Sequence, residues 1–342
     1  MIRADLTDIP TYVPGRRLDH ATKLSSNEVS FAPLPAAVQA VTEAATTANR
    51  YPDMGAVELR EALAEHLELD AEQITVGCGS SALCQQLVQA TCAAGDEVIF
   101  PWRSFEAYPI FARVAGATAV PIPLVADTQG HDLEAMIAAI TDRTRLIFLC
   151  NPNNPSGTTF TEAEFEAFME RVPDTIVVGL DEAYFEFNRA VDTPVSTEAV
   201  QRYANVVGLR TFSKAYGLAG LRIGYAFGNP EIINAMNKVA IPFAVSSVAQ
   251  AAAIASLNSA DELLERTEEV VVERQRAAQA LGAAPSQANF IWLPGDNAAQ
   301  LAEQLAAQGV VIRAFPEGAR ITITTAEDTE KLLTAWEVID HG

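Results

Sequence analysis

Thr211-Phe212-Ser213-Lys214-Ala215-Tyr216-Gly217-Leu218-Ala219-Gly220-Leu221-Arg222-Ile223-Gly224-Tyr225 sets a hydroxyl, an amine and a guanidinium in a glycine-rich turn. Apolar runs flank the turn, Asn205–Leu209 before it and Leu221–Phe227 into and beyond it, and both are expected strands. A lysine just after a buried strand is desolvated. That lowers its pKa and makes Lys214 a candidate Schiff-base nucleophile.

Working outward, short apolar runs alternate with helical periodicity. Expected helices span Val57–Leu69, Ala82–Cys92, Phe105–Val114, Leu133–Ile140 and Glu162–Arg171. Expected strands span Ile74–Val76, Glu97–Pro101, Thr118–Leu124, Arg145–Cys150 and Thr175–Leu180. This alternation predicts an α/β fold, a mostly parallel central sheet flanked by helices. Beyond Pro242 the texture changes. One long Ala-rich helical region is expected over Ser247–Leu281. Strands Phe290–Leu293, Val310–Ala314 and Arg320–Thr324 and helices Ala298–Gln308 and Thr329–Ile339 follow. The expected organisation is an N-terminal arm (1–35), a large α/β domain (36–240) and a smaller α+β domain (241–342) against which the arm packs. The boundary is expected within 235–250.

With 342 residues, about two domains are expected. A net charge of −21 argues against nucleic acid and anionic membrane surfaces as partners. No apolar run reaches the roughly 20 residues of a membrane helix. The start, Met1-Ile2-Arg3-Ala4-Asp5, lacks a signal-peptide layout, so a cytoplasmic protein is expected. Cys78, Cys84, Cys92 and Cys150 form no CxxC pair and read as buried free thiols. His20, His66, His131 and His341 are scattered, so neither a metal site nor a Ser-His-Asp triad is expected.

A lone Ser213-Lys214 pair would read as a surface turn. The extended S-K-x-x-G-L-A-G-L-R string instead is similar to the lysine signature of fold-type I pyridoxal 5′-phosphate (PLP) aminotransferases of classes I and II. In that family the lysine carries the cofactor as an imine, and the serine and arginine bind its phosphate. Ser213, Lys214 and Arg222 match residue by residue.

Such a site needs four more elements, and each has a candidate. A carboxylate should keep the pyridine nitrogen protonated. Asp181, in Asp181-Glu182-Ala183-Tyr184, resembles the family's pyridinium-binding motif. The ring oxygen needs donors. Tyr184 fits, and so does Asn154 in Asn151-Pro152-Asn153-Asn154-Pro155-Ser156-Gly157, a string close to an aminotransferase hallmark. The phosphate wants amides at a helix N-terminus, which Gly79-Ser80-Ser81 offers between a strand and a helix. An aromatic ring should stack on the cofactor. Trp102, Phe105 and Tyr108 are candidates, and comparison with the family favours Phe105. Resemblance further implies that Tyr51, in Tyr51-Pro52, reaches a neighbour's phosphate across a homodimer. It also implies that Arg320 binds the substrate α-carboxylate, for which a guanidinium fork is suited.

Within fold type I, Tyr12-Val13-Pro14-Gly15 and Leu24-Ser25-Ser26-Asn27-Glu28 resemble the histidinol-phosphate aminotransferase subfamily. Asn27-Glu28-Val29-Ser30 and Trp102-Arg103-Ser104-Phe105 depart from its usual strings and resemble the phenylalanine or aromatic amino acid branch. The implied reaction moves an amino group from an aromatic amino acid to a 2-oxo acid such as 2-oxoglutarate, ping-pong through pyridoxamine phosphate, with Lys214 as base. Tyr12, Asn27, Trp102, Arg313 and Arg320 are the candidate substrate contacts, with Phe31 and Phe105 as further slot walls. Arg16, Arg17 and Arg103 keep a phosphate pocket, and so histidinol phosphate, as the second reading. A CoA-dependent synthase of the same fold and a non-catalytic PLP-binding protein are more distant alternatives.

Overall fold

A computed structural model describes residues 6–9, 11–13, 15, 16 and 18–339. Seven strands make the main sheet: β2 (Ile74–Gly77), β3 (Glu97–Trp102), β4 (Thr118–Pro123), β5 (Thr144–Cys150), β6 (Val177–Asp181), β7 (Val206–Thr211) and β8 (Gly224–Gly228). Its order is β2-β8-β7-β6-β5-β3-β4. Strands β4, β3, β5, β6 and β7 run parallel, and β8 alone is antiparallel to its neighbours. The central strands are apolar on both faces because helices cover both. In β5, Leu146 through Cys150 are all buried.

The covering helices are α1 (Pro35–Ala45), α2 (Val57–Leu67), α3 (Ser80–Thr91), α4 (Tyr108–Val114), α5 (Leu133–Ala138), α6 (Glu162–Met169), α7 (Ser196–Arg202) and α8 (Pro230–Val239). Sequence periodicity missed α1, α7 and α8. The first is Ala-rich, the second is one short stretch of mixed character, and the third opens on Pro230 just after a strand. Local chemistry starts others: in α6 the Thr161 side chain accepts from the Glu164 amide while Glu164 reaches back to Thr161.

The Ala-rich region is two helices, α9 (Ser247–Leu257) and α10 (Ala260–Leu281). Asn258 and Ser259, both poor helix-interior residues, separate them, and Asp261 and Glu262 then favour the new N-terminus. Helix α9 buries Ala249, Ala252 and Ala253 in the core shared with α1 and α2, to which the strands that follow it contribute Phe290. Those strands, β9 (Phe290–Pro294), β11 (Arg313–Phe315) and β12 (Gly318–Thr322), form an antiparallel sheet ordered β11-β12-β9. Helices α11 (Ala298–Ala307) and α12 (Ala326–Glu337) pack with it around Ile291, Leu305, Ile321 and Leu332.

The expected strand Val310–Ala314 divides. Strand β10 (Val310–Val311) pairs in parallel with β1 (Thr22–Lys23) of the arm, while Arg313 turns to β12. The arm then runs on beside β12: the Thr322 amide donates to Leu24 O (2.9 Å) and the Asn27 amide to Thr322 Oγ1 (2.9 Å). Residues 25–27 are thereby laid between the two sheets.

Candidate active site

Topology assembles the site. Strands β2, β3, β5, β6 and β7 all end at one edge of the main sheet, and β8 begins there: Gly224 pairs with Gly77 on one side and Thr211 on the other. Ligands of such sheets bind outside the carboxyl ends of the strands. The residues that leave this edge are Ser80 and Ser81 after β2, Phe105 after β3, Asn154 after β5, Asp181 at the end of β6, Ser213 and Lys214 after β7, and Arg222 before β8. All of them line one cavity of about 400 Å³. Tyr184, Tyr12, Asn27, Arg313 and Arg320 line it too.

Ser80 opens helix α3, whose first amides face the cavity. Gly79 precedes it with φ +76°, and a Cβ there would lie 2.5 Å from Arg222 Nη2. Only glycine lets the guanidinium lie against that turn. Arg222 itself has φ +56°, an uncommon conformation for a side-chain-bearing residue. Its Nη1 donates to Ala219 O (3.0 Å) and Ser213 Oγ (3.4 Å). The helix N-terminus, the serines Ser80, Ser81 and Ser213 and a guanidinium together suit a phosphate.

Asp181 is 4% exposed and has no cationic partner within bonding distance among the described residues. Burial pushes its carboxyl up to about 6, against the opposing pull of two donors, the Tyr108 hydroxyl (2.6 Å) and the Ala183 amide (3.2 Å). Tyr108 is fully buried and stacked on Phe148 at 4.4 Å. It therefore supports the carboxylate from below and does not present its ring to the cavity. Phe105, whose ring meets Tyr108 edge-on at 5.4 Å, is the aromatic wall.

Lys214 Nζ donates to Ser26 O (3.2 Å). Burial, then the Arg320 cation, lower its pKa to about 7, so a large fraction of the amine is neutral at neutral pH. Burial raises the Tyr184 phenol, whose oxygen accepts from Asn27 Nδ2 (2.9 Å). Asn27 is held in turn by Thr322 Oγ1 (3.0 Å) and its carbonyl accepts from Asn289 Nδ2 (3.1 Å). Arg320 is 7% exposed. Its Nη1 donates to Asn154 Oδ1 (2.6 Å) and its Nη2 to Ser25 O (2.9 Å), while Nε is buried without a partner. A buried guanidinium paired only with neutral groups is prepared for an anion.

Several sequence candidates lie elsewhere. Trp102 lines an adjoining cavity with Phe100 and Pro109, under the Arg103 guanidinium (4.5 Å). Phe31 lies beside Arg266 (5.8 Å). Arg16 is paired with Glu303 (2.6 Å) and Arg103 with Glu317 (2.7 Å), so neither offers a phosphate site; Arg17 lies outside the described residues. Tyr51 is 83% exposed against Phe243 (4.7 Å) and does not line its own chain's cavity. Sequence reasoning overlooked Glu106, Phe315 and the carbonyls of Ser25 and Ser26. Backbone acceptors leave no residue-type signal, although the L-S-S-N-E string pointed at the right segment.

The site residues can be set beside known proteins. Residues 19–335 match the model of the family described as aminotransferase class I and II. The chain is 82% identical over 342 residues, the full length of both, to the aromatic amino acid aminotransferase of Corynebacterium efficiens. It is 55% identical to that of Rhodococcus jostii, over 97% of this chain and 94% of the other. It superposes with a TM-score of 0.86 and 30% identity on the histidinol-phosphate aminotransferase of Sinorhizobium meliloti solved with pyridoxal-5′-phosphate, covering 98% and 96% of the two chains. The chain belongs to the class I and II aminotransferases.

Proposed function

We propose that the protein is a PLP-dependent aminotransferase that moves the amino group of an aromatic amino acid to a 2-oxo acid. The observation that carries the reading is a buried guanidinium without an acidic partner, Arg320, whose Nε is unpartnered, beside aromatic and aliphatic walls: Phe105, Ile110, Phe111 and Phe315. An aromatic amino acid presents one carboxylate and an apolar ring, which is what such a pocket binds. The names of the corynebacterial and rhodococcal relatives support the same substrate class.

The residues present fit the cofactor. Ser80, Ser81, Ser213 and Arg222 would hold its phosphate, Asp181 its ring nitrogen, and Tyr184 and Asn154 its ring oxygen. When bound, PLP supplies an electron sink that accepts the pair left at the substrate α-carbon once its proton is removed. The chain does the rest. Lys214 would hold the cofactor and, with its amine free, would take the proton from the substrate α-carbon as general base and return it as general acid. Its lowered pKa suits it to both tasks near neutral pH. Arg320 would fix the carboxylate, and Asp181 would keep positive charge on the ring nitrogen. Phe105, on the cavity wall, would help to exclude water.

A homodimer completes this reading. The exposed Tyr51 stands in an apolar patch with Met54, Ile241 and Phe243, suited to burial against a second copy. The four free cysteines fit a reducing cytoplasm; among the described residues no helix is long and apolar enough to cross a membrane. The test mixes the PLP-loaded protein singly with phenylalanine, tyrosine, histidinol phosphate, leucine and glutamate and follows the cofactor's absorbance. Fast conversion by phenylalanine and tyrosine is expected. Fast conversion by histidinol phosphate with none by phenylalanine would replace this substrate with the phosphorylated one.

A further inference from the structure

Two cavity residues on one hairpin are held unequally. Arg320 stands on β12, the middle strand of the small sheet, with a ladder on each side and side-chain bonds to Asn154 and Ser25. Phe315 ends β11, a three-residue edge strand, and its ladder runs on one side only, to Gly318. A short edge strand fixes the ring at its end weakly, so the position of Phe315 depends on contacts from outside its sheet.

Arg103 supplies them. Its guanidinium lies 5.1 Å from the centre of the Phe315 ring and 4.5 Å from that of Trp102. It also forks onto Glu317, which accepts from Nε at 2.7 Å and from Nη2 at 2.8 Å; Glu106 stands 3.9 Å from Nη1. Glu317 belongs to the turn that joins β11 to β12, two residues beyond Phe315. The Arg103 side chain is only 11% exposed, so stack and fork form largely out of water. A planar guanidinium can do both at once, and an ammonium cannot.

Arg103 is itself anchored on the large sheet. It directly follows β3, and its carbonyl accepts from Asn153 Nδ2 (3.2 Å). The next residue, Ser104, donates from Oγ to Asn153 Oδ1 (2.8 Å). Asn153 precedes Asn154, the partner of Arg320, and Phe105 lies two residues after Arg103. Arg103 is not among the residues lining the active-site cavity, so it acts there through what it holds.

We propose that Arg103 is a positioning residue for the substrate ring: by stacking on Phe315 and forking onto Glu317 it pins the end of β11 to the end of β3, and so holds Phe315 where an aromatic side chain packs. This rests on the aromatic reading given above. Without the pair, Phe315 is left on its single ladder and its ring can turn from the cavity. The amine and carboxylate of a substrate would still meet Lys214 and Arg320, because Arg320 has supports of its own. The effect therefore falls on the side chain of the substrate.

The experiment measures single-turnover half-reactions of the PLP-loaded protein with phenylalanine and with alanine, which offers the same amine and carboxylate and no ring. The proteins are wild type, Arg103→Met, Glu317→Gln and the double variant, with PLP affinity and thermal midpoints read alongside. In R103M, which keeps an aliphatic stem, the apparent second-order constant for phenylalanine should fall about tenfold, while that for alanine and the PLP affinity stay within about threefold. E317Q should lower the phenylalanine-to-alanine ratio about threefold, and the double variant should match R103M, because the two side chains act as one pair. A ratio unmoved in either folded single variant overturns the proposal. So does an equal fall for both amino acids, which would make Arg103 a general support of the fold. A double variant well below R103M overturns it too, since Glu317 would then act without Arg103. Should R103M fail to fold, the ratio in E317Q decides alone. A wild type no faster with phenylalanine than with alanine refutes the aromatic reading instead, and the two failures are thereby told apart.

Discussion

The active site has two banks of unlike construction. The cofactor bank, formed by Ser80, Asn154, Asp181, Ser213, Lys214 and Arg222, hangs from adjacent strands of one sheet. Each residue sits within a few positions of a strand end. The substrate bank joins the arm (Ser25, Asn27), β11 (Arg313, Phe315) and β12 (Arg320) through side-chain bonds spanning the sequence. Arg320 bonds Asn154 and Ser25, and Thr322 bonds Asn27. The buried sheet gives the first bank rigidity, because its central strands are packed on both faces. The second bank is tied mainly by polar contacts between segments, with only the β11–β12 pairing and the short β1–β10 pairing as ladders. Positioning of the chemistry is thus delegated to the sheet, and choice of substrate to the segments that can vary without disturbing it.

Substitutions in the cofactor bank should break chemistry and cofactor binding together. Lys214→Ala should reduce turnover by about 10⁴-fold, the upper end for loss of general acid–base catalysis. It should also abolish the visible absorbance of the covalently held cofactor, read on the purified protein. Turnover near wild type would show that the sheet edge does not carry the chemistry. Asp181→Asn is next. Removing one member of a buried ion pair costs about 3–5 kcal/mol, so affinity for PLP should fall by about 10²- to 10⁴-fold, measured by equilibrium titration of the ligand-free protein. The same change should stabilise the ligand-free fold. Burial raises the Asp181 pKa from 3.8 to about 6. Between these values the folded state holds a proton that the unfolded state releases, so this carboxyl makes stability fall as pH rises from about 4 to about 6. Above that range the neutral amide should be favoured by about 3 kcal/mol, seen as a raised thermal midpoint at pH 8 in D181N. A lowered midpoint would show that Asp181 is a structural acid.

The substrate bank should separate from the cofactor bank in one measurement. Arg320→Gln should lower kcat/KM for phenylalanine by about 2–3 kcal/mol, or about 30- to 150-fold, while PLP affinity stays within about threefold. Loss of PLP affinity of the same size would merge the two banks, since Arg320 would then act on the cofactor through Asn154.

The two banks also differ in how far they could be read beforehand. Strands β5, β6 and β7 were legible because buried parallel strands are continuous apolar runs. The residues following them were legible because the cofactor's chemistry demands particular groups in short strings. The substrate bank offered single residues: Arg320 was placed through resemblance, but its partners Ser25 O and Asn154 Oδ1 were not foreseeable from spacing. Glu106 looked like any acid opening a helix, and its partner Arg313 lies over two hundred positions away. Trp102 and Tyr108 were ambiguous for another reason. Near the turn into α4 a difference of a few positions decides whether a ring faces the cavity, the adjoining pocket or the core, and periodicity does not settle a turn.

Tyr108 supplies the finest test of the contrast, because it belongs to the cofactor bank without touching the cavity. Its hydroxyl donates to Asp181 Oδ2 at 2.6 Å from a fully buried ring packed on Phe148. Tyr108→Phe keeps the ring and its packing and removes one hydrogen bond to a charged acceptor, worth about 1.5–2 kcal/mol. PLP affinity should therefore fall about tenfold, with KM for phenylalanine little changed. That bond also favours the ionised carboxylate, so its loss moves the Asp181 pKa upward, and cofactor affinity should weaken at a higher pH as the solution is acidified than in wild type. A merely structural tyrosine would lower the thermal midpoint without moving that pH profile. An unmoved profile in a folded Y108F would confine the cofactor bank to the residues that line the cavity.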